Sequence, residues 1–191
     1  MKKLLTAALT ILSLLMIVAF SPENELPKNW FKAGSKPDNY NMGIDKTIFK
    51  TGSSSATIQS TKKDKNGFGT LMQTCDAKDF LGKNIKLSGY IKSENIETWA
   101  GMWLRIDGHD GGRPLGFDNM RNRPIKGTQD WTYCEIILDV PYKAATLNFG
   151  ALLDGSGKIW FDDLKFEVVD KDEKTTGVPK IARPNNLGFE E

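Results

Sequence analysis

The segment IKLSGYIKS at residues 85–93 decides the fold class of this chain. Its apolar residues Ile85, Leu87 and Ile91 lie at odd positions, and polar residues lie between them. Successive side chains of a β-strand point to opposite faces of the sheet. The alternation therefore predicts a strand with one buried and one open face.

The same pattern recurs along the chain and predicts an all-β domain. Met102, Leu104 and Ile106 alternate with polar or aromatic residues, and turn residues such as Asn66-Gly67 separate the strand-like segments. We expect strands at 55–60, 69–75, 85–93, 100–107, 115–119, 132–140, 146–152 and 159–168, with a helical turn near 77–80. About eight strands without a sustained helical pattern predict an antiparallel β-sandwich.

Aromatic residues at both ends of this region are expected to pack on the core. Residues 22–46 read as an opening loop that anchors itself through Trp30 and Phe31. In the last strand we expect Trp160, Leu164 and Phe166 to share the buried face.

Several segments, in order and spacing, resemble the jelly-roll of secreted carbohydrate-binding modules, the galactose-binding-like fold. They are GTLMQ at 69–73 with GKNIKLSGYIK at 82–92, DWTY at 130–133, and GKIWFDDLKFE at 157–167. The resemblance covers residues 45–168 and implies a jelly-roll with a carbohydrate ligand. It also implies a structural calcium ion at the closing strand, with Asp162 and Asp163 as carboxylate ligands, and no other cofactor.

A second resemblance concerns the segments LPKNWF at 26–31 and FDNMRNRPIKG at 117–127. Both are similar to an accessory domain of some AraC-type bacterial regulators. The sequence shows no helix-turn-helix pattern beside them, so this resemblance does not imply control of transcription.

The first 21 residues have the three parts of a secretory signal peptide. Lys2 and Lys3 precede an apolar run over 4–20, and Ser21 precedes the helix-breaking Pro22. This pattern predicts cleavage near Ser21 and a secreted, extracellular protein. The alternative is an uncleaved anchor, because a run of 17 residues is at the short limit for spanning a bilayer.

Beyond the signal peptide we expect one domain at 22–168, a mobile linker at 169–183 and a tail at 184–191. Leu187 and Phe189 alternate in the tail and resemble the opening strand of such modules, which the N-terminal region lacks. The tail is a strand that returns to the domain, the vestige of a second module, or a free terminus.

Charge limits the partners of the secreted protein. The signal contains two lysines and no acid, so its removal lowers the formal charge from +2 to zero. Nucleic acids and anionic lipids require a basic surface. We therefore expect a monomer that binds carbohydrate or protein outside the cell, with no nucleic-acid partner and no membrane partner after cleavage.

Cys75 and Cys134 are the two cysteines. In an oxidising compartment they would form a disulfide, unless both are small buried or half-buried residues on different strands. The one histidine, His109, lies in a glycine-rich turn and gives a histidine-based zinc site or catalytic triad little to build on.

The candidate ligand site lies on the open face of one jelly-roll sheet. An indole stacks on the apolar face of a sugar, while amide, carboxylate and guanidinium groups bind its hydroxyls. We expect Gln73, Trp103, Arg105, Asp118 and Asn148 to form the site, with Gly150 leaving room for the ligand and Arg121 and Arg123 favouring an acidic sugar. The alternative is that Arg105 and Asp118 pair across neighbouring strands under Trp103, and that the other arginines are solvated.

These features predict a secreted, non-catalytic β-sandwich that binds carbohydrate at a cell wall or on an external glycan. An extracellular protein-interaction or sensor domain without sugar affinity is the alternative of another class. A weak glycoside hydrolase or lyase using Asp107, Asp110 and Asp118 is the third. No nucleophile elbow, phosphate loop or metal-cluster motif supports an enzyme.

Overall fold

The computed structural model describes residues 25–61 and 67–177, so the predicted signal peptide at 1–21 and tail at 184–191 lie outside the described residues. Within these ranges the chain forms nine β-strands: β1 Phe31–Gly34, β2 Tyr40–Asp45, β3 Ser55–Ser60, β4 Phe68–Asp76, β5 Asn84–Gly108, β6 Gly116–Asp118, β7 Ile125–Asp139, β8 Ala144–Asp154 and β9 Lys158–Val169. Two short 3-10 helices, Pro37–Asn39 and Lys78–Phe80, join them, the second where a helical turn was expected. No helix in the described residues is long and apolar enough to cross a membrane.

The strands form two layers in which every pairing is antiparallel. The front layer contains β1, β4, β8, the second half of β5, and β6. The back layer contains β7, the first half of β5, β9, β3 and β2. The predicted all-β sandwich of the jelly-roll kind is confirmed.

Strand β5 belongs to both layers and explains why two predicted strands, 85–93 and 100–107, are one. Leu87 lies opposite Phe166 of the back layer, whereas Trp103 lies opposite Gly150 of the front layer. Between these halves the pairing with β7 shifts register, and Asn95 adopts a left-handed φ of 53°. Such bulges bend a strand, so β5 passes from one layer to the other without ending.

The main core fills the space between the layers. Buried side chains come from alternate positions of both, including Leu71, Met102, Leu104, Ile106, Leu147, Met42, Ile58, Ile85, Leu87, Ile91, Ile136, Ile159 and Phe161. The Trp30 ring packs on this core, with its centroid 6.0 Å from that of Phe149 and 5.9 Å from that of Phe161. Phe31 does not, because it lies on β1 with 44% of its surface exposed.

The prediction that Trp160 shares a face with Leu164 and Phe166 is wrong. Ile159 and Phe161 point into the core before a bulge, and Leu164 and Phe166 pack on it after the bulge. The bulge lies at Asp163, which has a φ of 51°, where the pairing with β5 shifts register. One extra residue inverts the alternation, so Trp160 lies on the outer side of the back layer.

Trp160 is nevertheless buried, because neighbouring polar groups cover it. Only 3% of its surface is exposed, its Nε1 donates to Asp45 Oδ2 at 2.8 Å, and the Lys158 ammonium lies 4.3 Å from the ring centroid. Burial raises the pKa of Asp45, but hydrogen bonds from Thr47, Trp160 and Ile48 outweigh it and hold the pKa well below its usual range. Asp45 therefore stabilises the fold as a carboxylate.

The described part of the predicted linker is 169–177, of which Val169 ends β9 and residues 170–177 are bonded to the domain. The Asn84 side chain donates to the carbonyl groups of Asp170, Lys171 and Glu173 at 3.3–3.5 Å. The Thr176 N–H donates to the Ile137 carbonyl at 2.9 Å, and its hydroxyl accepts from the Ile137 N–H at 2.9 Å. This segment lies along β7 and covers part of its open edge.

Candidate ligand-binding cleft

A cleft of about 490 Å³ lies on the outer face of the front layer. It is lined by Ala33, Gly34, Phe68, Thr70, Met72, Trp99, Trp103, Arg105, Phe117, Asn119, Arg121, Leu152 and Asp154. Trp99 and Arg105 mark its two ends along β5, about 20 Å apart at roughly 3.4 Å per residue.

The floor is a second apolar cluster, separate from the main core. Met72, Trp103 and Leu152 are 7–8% exposed, and Ala33, Phe68 and Trp99 pack against them. Trp103 Nε1 donates to Thr70 Oγ1 at 2.8 Å and so reaches from β5 across β8 to β4. Trp103 points away from the main core as expected, but it is the covered floor of the cleft and not an open stacking surface.

Three other aromatic side chains supply the surface that a ligand can contact. Trp99 and Phe68 are half-buried, and Phe117 is 43% exposed. Sequence reasoning missed Trp99 because the predicted strand began at residue 100. The signal was available, since residues four apart on a strand share a face and Trp99 precedes Trp103 by four.

Arg105 is held at one end of the cleft by a row of hydrogen bonds. The Thr74 hydroxyl donates to Asn148 Oδ1 at 2.7 Å, and Asn148 Nδ2 donates to Asp107 Oδ2 at 2.7 Å. The same Asp107 oxygen accepts from Arg105 Nε at 2.8 Å. Asn148, predicted as a ligand residue, is only 7% exposed and orients its neighbours.

Arg121 and Asp154 are the charged residues toward the other end of the cleft. Asp154 ends β8 opposite Phe68 and Trp99. Burial raises the pKa of Asp154, and the positive charge of nearby Arg121 opposes the rise without cancelling it. Arg121 was predicted as a site residue, whereas Asn119 and Asp154 were not.

Three predicted site residues lie elsewhere. Gln73 lies opposite Phe149, on the side of β4 that faces the main core and not on the side that faces the cleft. Asp118 is opposite Leu104, is 8% exposed, and accepts from the two terminal nitrogens of Arg123 at 3.2 and 2.8 Å. Asp118 and Arg123 therefore form a structural ion pair, and Arg105 pairs with Asp107 instead of Asp118.

Gly150 was expected to leave room for a ligand, but it does not. A Cβ at this position would overlap the carbonyl oxygen of Leu71 on the adjacent strand. Glycine is required here because β8 and β4 approach each other closely.

The predicted calcium ligands have protein partners. Asp162 Oδ2 accepts from the N–H groups of Lys50 and Thr51 at 2.7 and 2.9 Å, and Asp163 lies 3.8 Å from the Lys165 ammonium. Within residues 25–61 and 67–177, no group of three or more His, Cys, Asp or Glu side chains is placed to hold a metal ion. Asp162 therefore holds the loop after β2 in place.

The predicted disulfide is not formed. Cys75 on β4 and Cys134 on β7 are both free, the first half-buried and the second buried. Burial raises the pKa of the Cys134 thiol to about 11, against the opposing effect of nearby Arg123. Both cysteines therefore fit the alternative prediction of small buried or half-buried residues on different strands.

No protein-family model matches the chain. A curated relative from Bacillus subtilis (strain 168), described as the uncharacterized HTH-type transcriptional regulator YbfP, is 39% identical over 169 residues. The match covers 86% of this chain and 57% of the relative, so the chain spans little more than half of that regulator.

Several solved structures share the fold at low sequence identity. The CBM22-1 xylan-binding domain of Paenibacillus barcinonensis Xyn10C has a TM-score of 0.55 at 13% identity, covering 78% of this chain and 90% of that one. TmCBM61, solved with β-1,4-galactotriose, has a TM-score of 0.50 at 13% identity and coverages of 76% and 92%. The Stig cyclase Fisc from Fischerella sp. TAU has a TM-score of 0.57 at 15% identity and coverages of 76% and 87%. At these identities the similarity establishes the jelly-roll fold and not its ligand.

Proposed function

We propose that the cleft binds carbohydrate and that this protein is a secreted, non-catalytic binding domain acting at a cell wall or on an external glycan. The observation that carries the proposal is the aromatic-lined cleft on the outer face of the front layer. Carbohydrate-binding modules among the solved structures with this fold support it.

The composition of the cleft matches the chemistry of a sugar. The half-buried Trp99 and the exposed Phe117 provide apolar ring faces for the C–H face of a pyranose. Arg105, Asn119 and Asp154 provide donors and acceptors for its hydroxyls. Such a combination of apolar walls with a few polar groups is typical of ligand sites.

The carboxylates near the cleft favour binding over hydrolysis. Most glycosidases use two carboxyl groups that flank the scissile bond. Of the residues that line the cleft, Asp154 is the one carboxylate. Asp107 is bonded to Arg105 and Asn148, and Asp118 is buried against Arg123, so neither is placed as its partner.

Secretion is proposed from the tripartite pattern of residues 1–21. Export would place the cleft in contact with external glycans. N-terminal sequencing of protein recovered from the culture medium should begin near residue 22, and retention of Met1 in that material would contradict the proposal.

A second candidate function is an extracellular protein-interaction or sensor domain without sugar affinity. The 39% identity to a helix-turn-helix regulator favours it. In the described residues the helical elements are two three-residue 3-10 helices, so no helix-turn-helix lies there. Residues 25–61 and 67–177 would then correspond to a sensing region and not to a DNA-binding one.

Calorimetry against a panel of oligosaccharides tests the leading proposal. Phe117→Ala and Trp99→Ala should weaken binding by about tenfold or more if these rings stack on the sugar. Tyr133→Ala is the matched control, because Tyr133 is 51% exposed and lies on the back layer beside Tyr90. Absence of binding to every glycan, or equal losses in all three variants, would refute carbohydrate binding at the cleft.

A further inference from the structure

We propose that the Arg105 end of the cleft recognises a carboxylate, so that the preferred ligand is an acidic carbohydrate containing a uronic acid. This inference rests on the proposed carbohydrate-binding function and specifies its ligand class. Three features support it: Asp107 orients the Arg105 guanidinium, the two terminal NH₂ groups of Arg105 stay free of protein acceptors in the described residues, and the Phe117 ring lies beside them.

Arg105 is preoriented by the half-buried Asp107, which is itself bonded to the buried Asn148. Its Nε donates to Asp107 Oδ2 at 2.8 Å, and Asn148 Nδ2 donates to the same oxygen at 2.7 Å. Asn148 is itself fixed by the Thr74 hydroxyl, which donates to its Oδ1 at 2.7 Å. A guanidinium held in this way loses little freedom when a ligand binds.

The free edge of this guanidinium fits a carboxylate. Asp107 accepts from Nε, and in the described residues no protein acceptor bonds the two terminal NH₂ groups of Arg105. The side chain is 45% exposed and lines the cleft. Two parallel N–H donors match the two oxygens of a carboxylate and form charge-assisted hydrogen bonds that a hydroxyl cannot equal.

Phe117 lies beside this group and favours a sugar acid over a simple anion. It is directly opposite Arg105 in the pairing of β5 with β6, and both side chains line the cleft. Opposite residues of an antiparallel pair have Cβ atoms about 5 Å apart. A pyranose ring stacked on Phe117 would therefore bring a carboxyl group on that ring to Arg105.

The other cleft arginine has a different charge environment and serves as an internal control. The charge of Arg121 acts on Asp154, a cleft carboxyl group. Arg105 also has a carboxylate beside it, but Asp107 bonds to its Nε and orients the guanidinium, whereas in the described residues no hydrogen bond or ion pair fixes the Arg121 guanidinium. We assign carboxylate recognition to Arg105 and not to Arg121.

The test compares acidic oligosaccharides with uncharged counterparts. Calorimetry at pH 7 measures binding of oligogalacturonate, its methyl ester and a neutral galactan oligomer, and of glucuronoxylan and unsubstituted xylan oligomers. Wild-type protein should bind one acidic oligomer at least about tenfold more tightly than its uncharged counterpart. Arg105→Gln should bring this ratio close to one, because it removes the group that pairs with the carboxylate. Arg105→Lys should retain part of the ratio, and Arg121→Gln should leave the ratio unchanged.

The outcomes separate this inference from the proposed function. Binding of neutral oligomers with no preference for acids, or a preference that survives Arg105→Gln or disappears in Arg121→Gln, overturns the inference and leaves carbohydrate binding in place. Binding of none of these oligomers also overturns the inference, and only absence of binding across the whole oligosaccharide panel refutes the proposed function itself. Equal melting temperatures of wild type and Arg105→Gln exclude unfolding as the cause of a lost preference.

Discussion

Trp103→Ala should destabilise the fold, although Trp103 points away from the main core. The side chain is 7% exposed, belongs to the cluster with Met72 and Leu152, and donates to Thr70 Oγ1 at 2.8 Å. Truncation of a buried tryptophan typically costs about 3–5 kcal/mol. In a domain of this size that corresponds to a fall in Tm of roughly 6–20 °C.

Trp103→Phe separates the hydrogen bond from the packing. It keeps an aromatic ring on the floor but removes Nε1, while the Thr70 hydroxyl still donates to the Ala151 carbonyl at 2.7 Å. We expect a loss of about 0.5–1.5 kcal/mol for the hydrogen bond, plus a smaller loss from reduced volume. The free energy of unfolding should therefore increase from Trp103→Ala to Trp103→Phe to the wild type.

Urea denaturation followed by far-UV circular dichroism measures both variants, with the slope of the transition checking that each unfolds in two states. Tyr142→Ala is the control, because Tyr142 is 80% exposed and its loss should change stability by less than about 0.5 kcal/mol. A Trp103→Ala midpoint equal to that of Tyr142→Ala would refute the burial of Trp103 and the floor of the cleft with it.

Asp45→Asn should lower the free energy of unfolding at pH 7 and make it less dependent on pH in acid. The pKa of Asp45 in the folded state lies below the unfolded value of about 3.9, so the wild type loses the stability that the Asp45 carboxylate contributes as the pH falls below about 4. Urea midpoints of the two proteins should converge between about pH 4 and 2, and parallel curves would contradict this. Ellman's reagent should detect two thiols in denaturant without reductant, and in native protein Cys134 should react far more slowly than Cys75 because it is buried and its pKa is raised to about 11; no detectable thiol would instead indicate a disulfide. Asp118→Asn should cost about 1–3 kcal/mol of stability through its lost ion pair with Arg123 and leave glycan affinity unchanged, so a parallel loss of affinity would return Asp118 to the binding site.

Local alternation predicted the faces of β5 correctly, because its two faces differ in polarity over many residues. Met102, Leu104 and Ile106 are fully buried in the main core, and Trp103 and Arg105 point to the other side. The same reasoning failed on β4, where Leu71 and Met72 are adjacent and both buried, in different clusters. With apolar cover on both faces, alternation no longer indicates which side Gln73 occupies.

Polarity also misled at β6 and β9. On β6 the aspartate Asp118 is buried and the phenylalanine Phe117 is exposed, because Arg123, five residues along the chain, neutralises Asp118. On β9 the bulge at Asp163 exchanges the two faces, and nothing in the composition of the strand indicates its position. Each error follows from a single partner or a single extra residue that a periodic pattern does not contain.

The amino-acid sequence by itself determined the all-β class, the sandwich and the outward direction of Trp103 and Arg105, because a period of two is a property of adjacent residues. Only the tertiary structure decided that Trp103 is covered, that Arg105 is held by Asp107, and that Trp99 and Phe117 form the walls. These features require β4, β5, β6 and β8 to lie side by side in one register. Contacts between strands far apart in the chain depend on that register, and no local pattern specifies it.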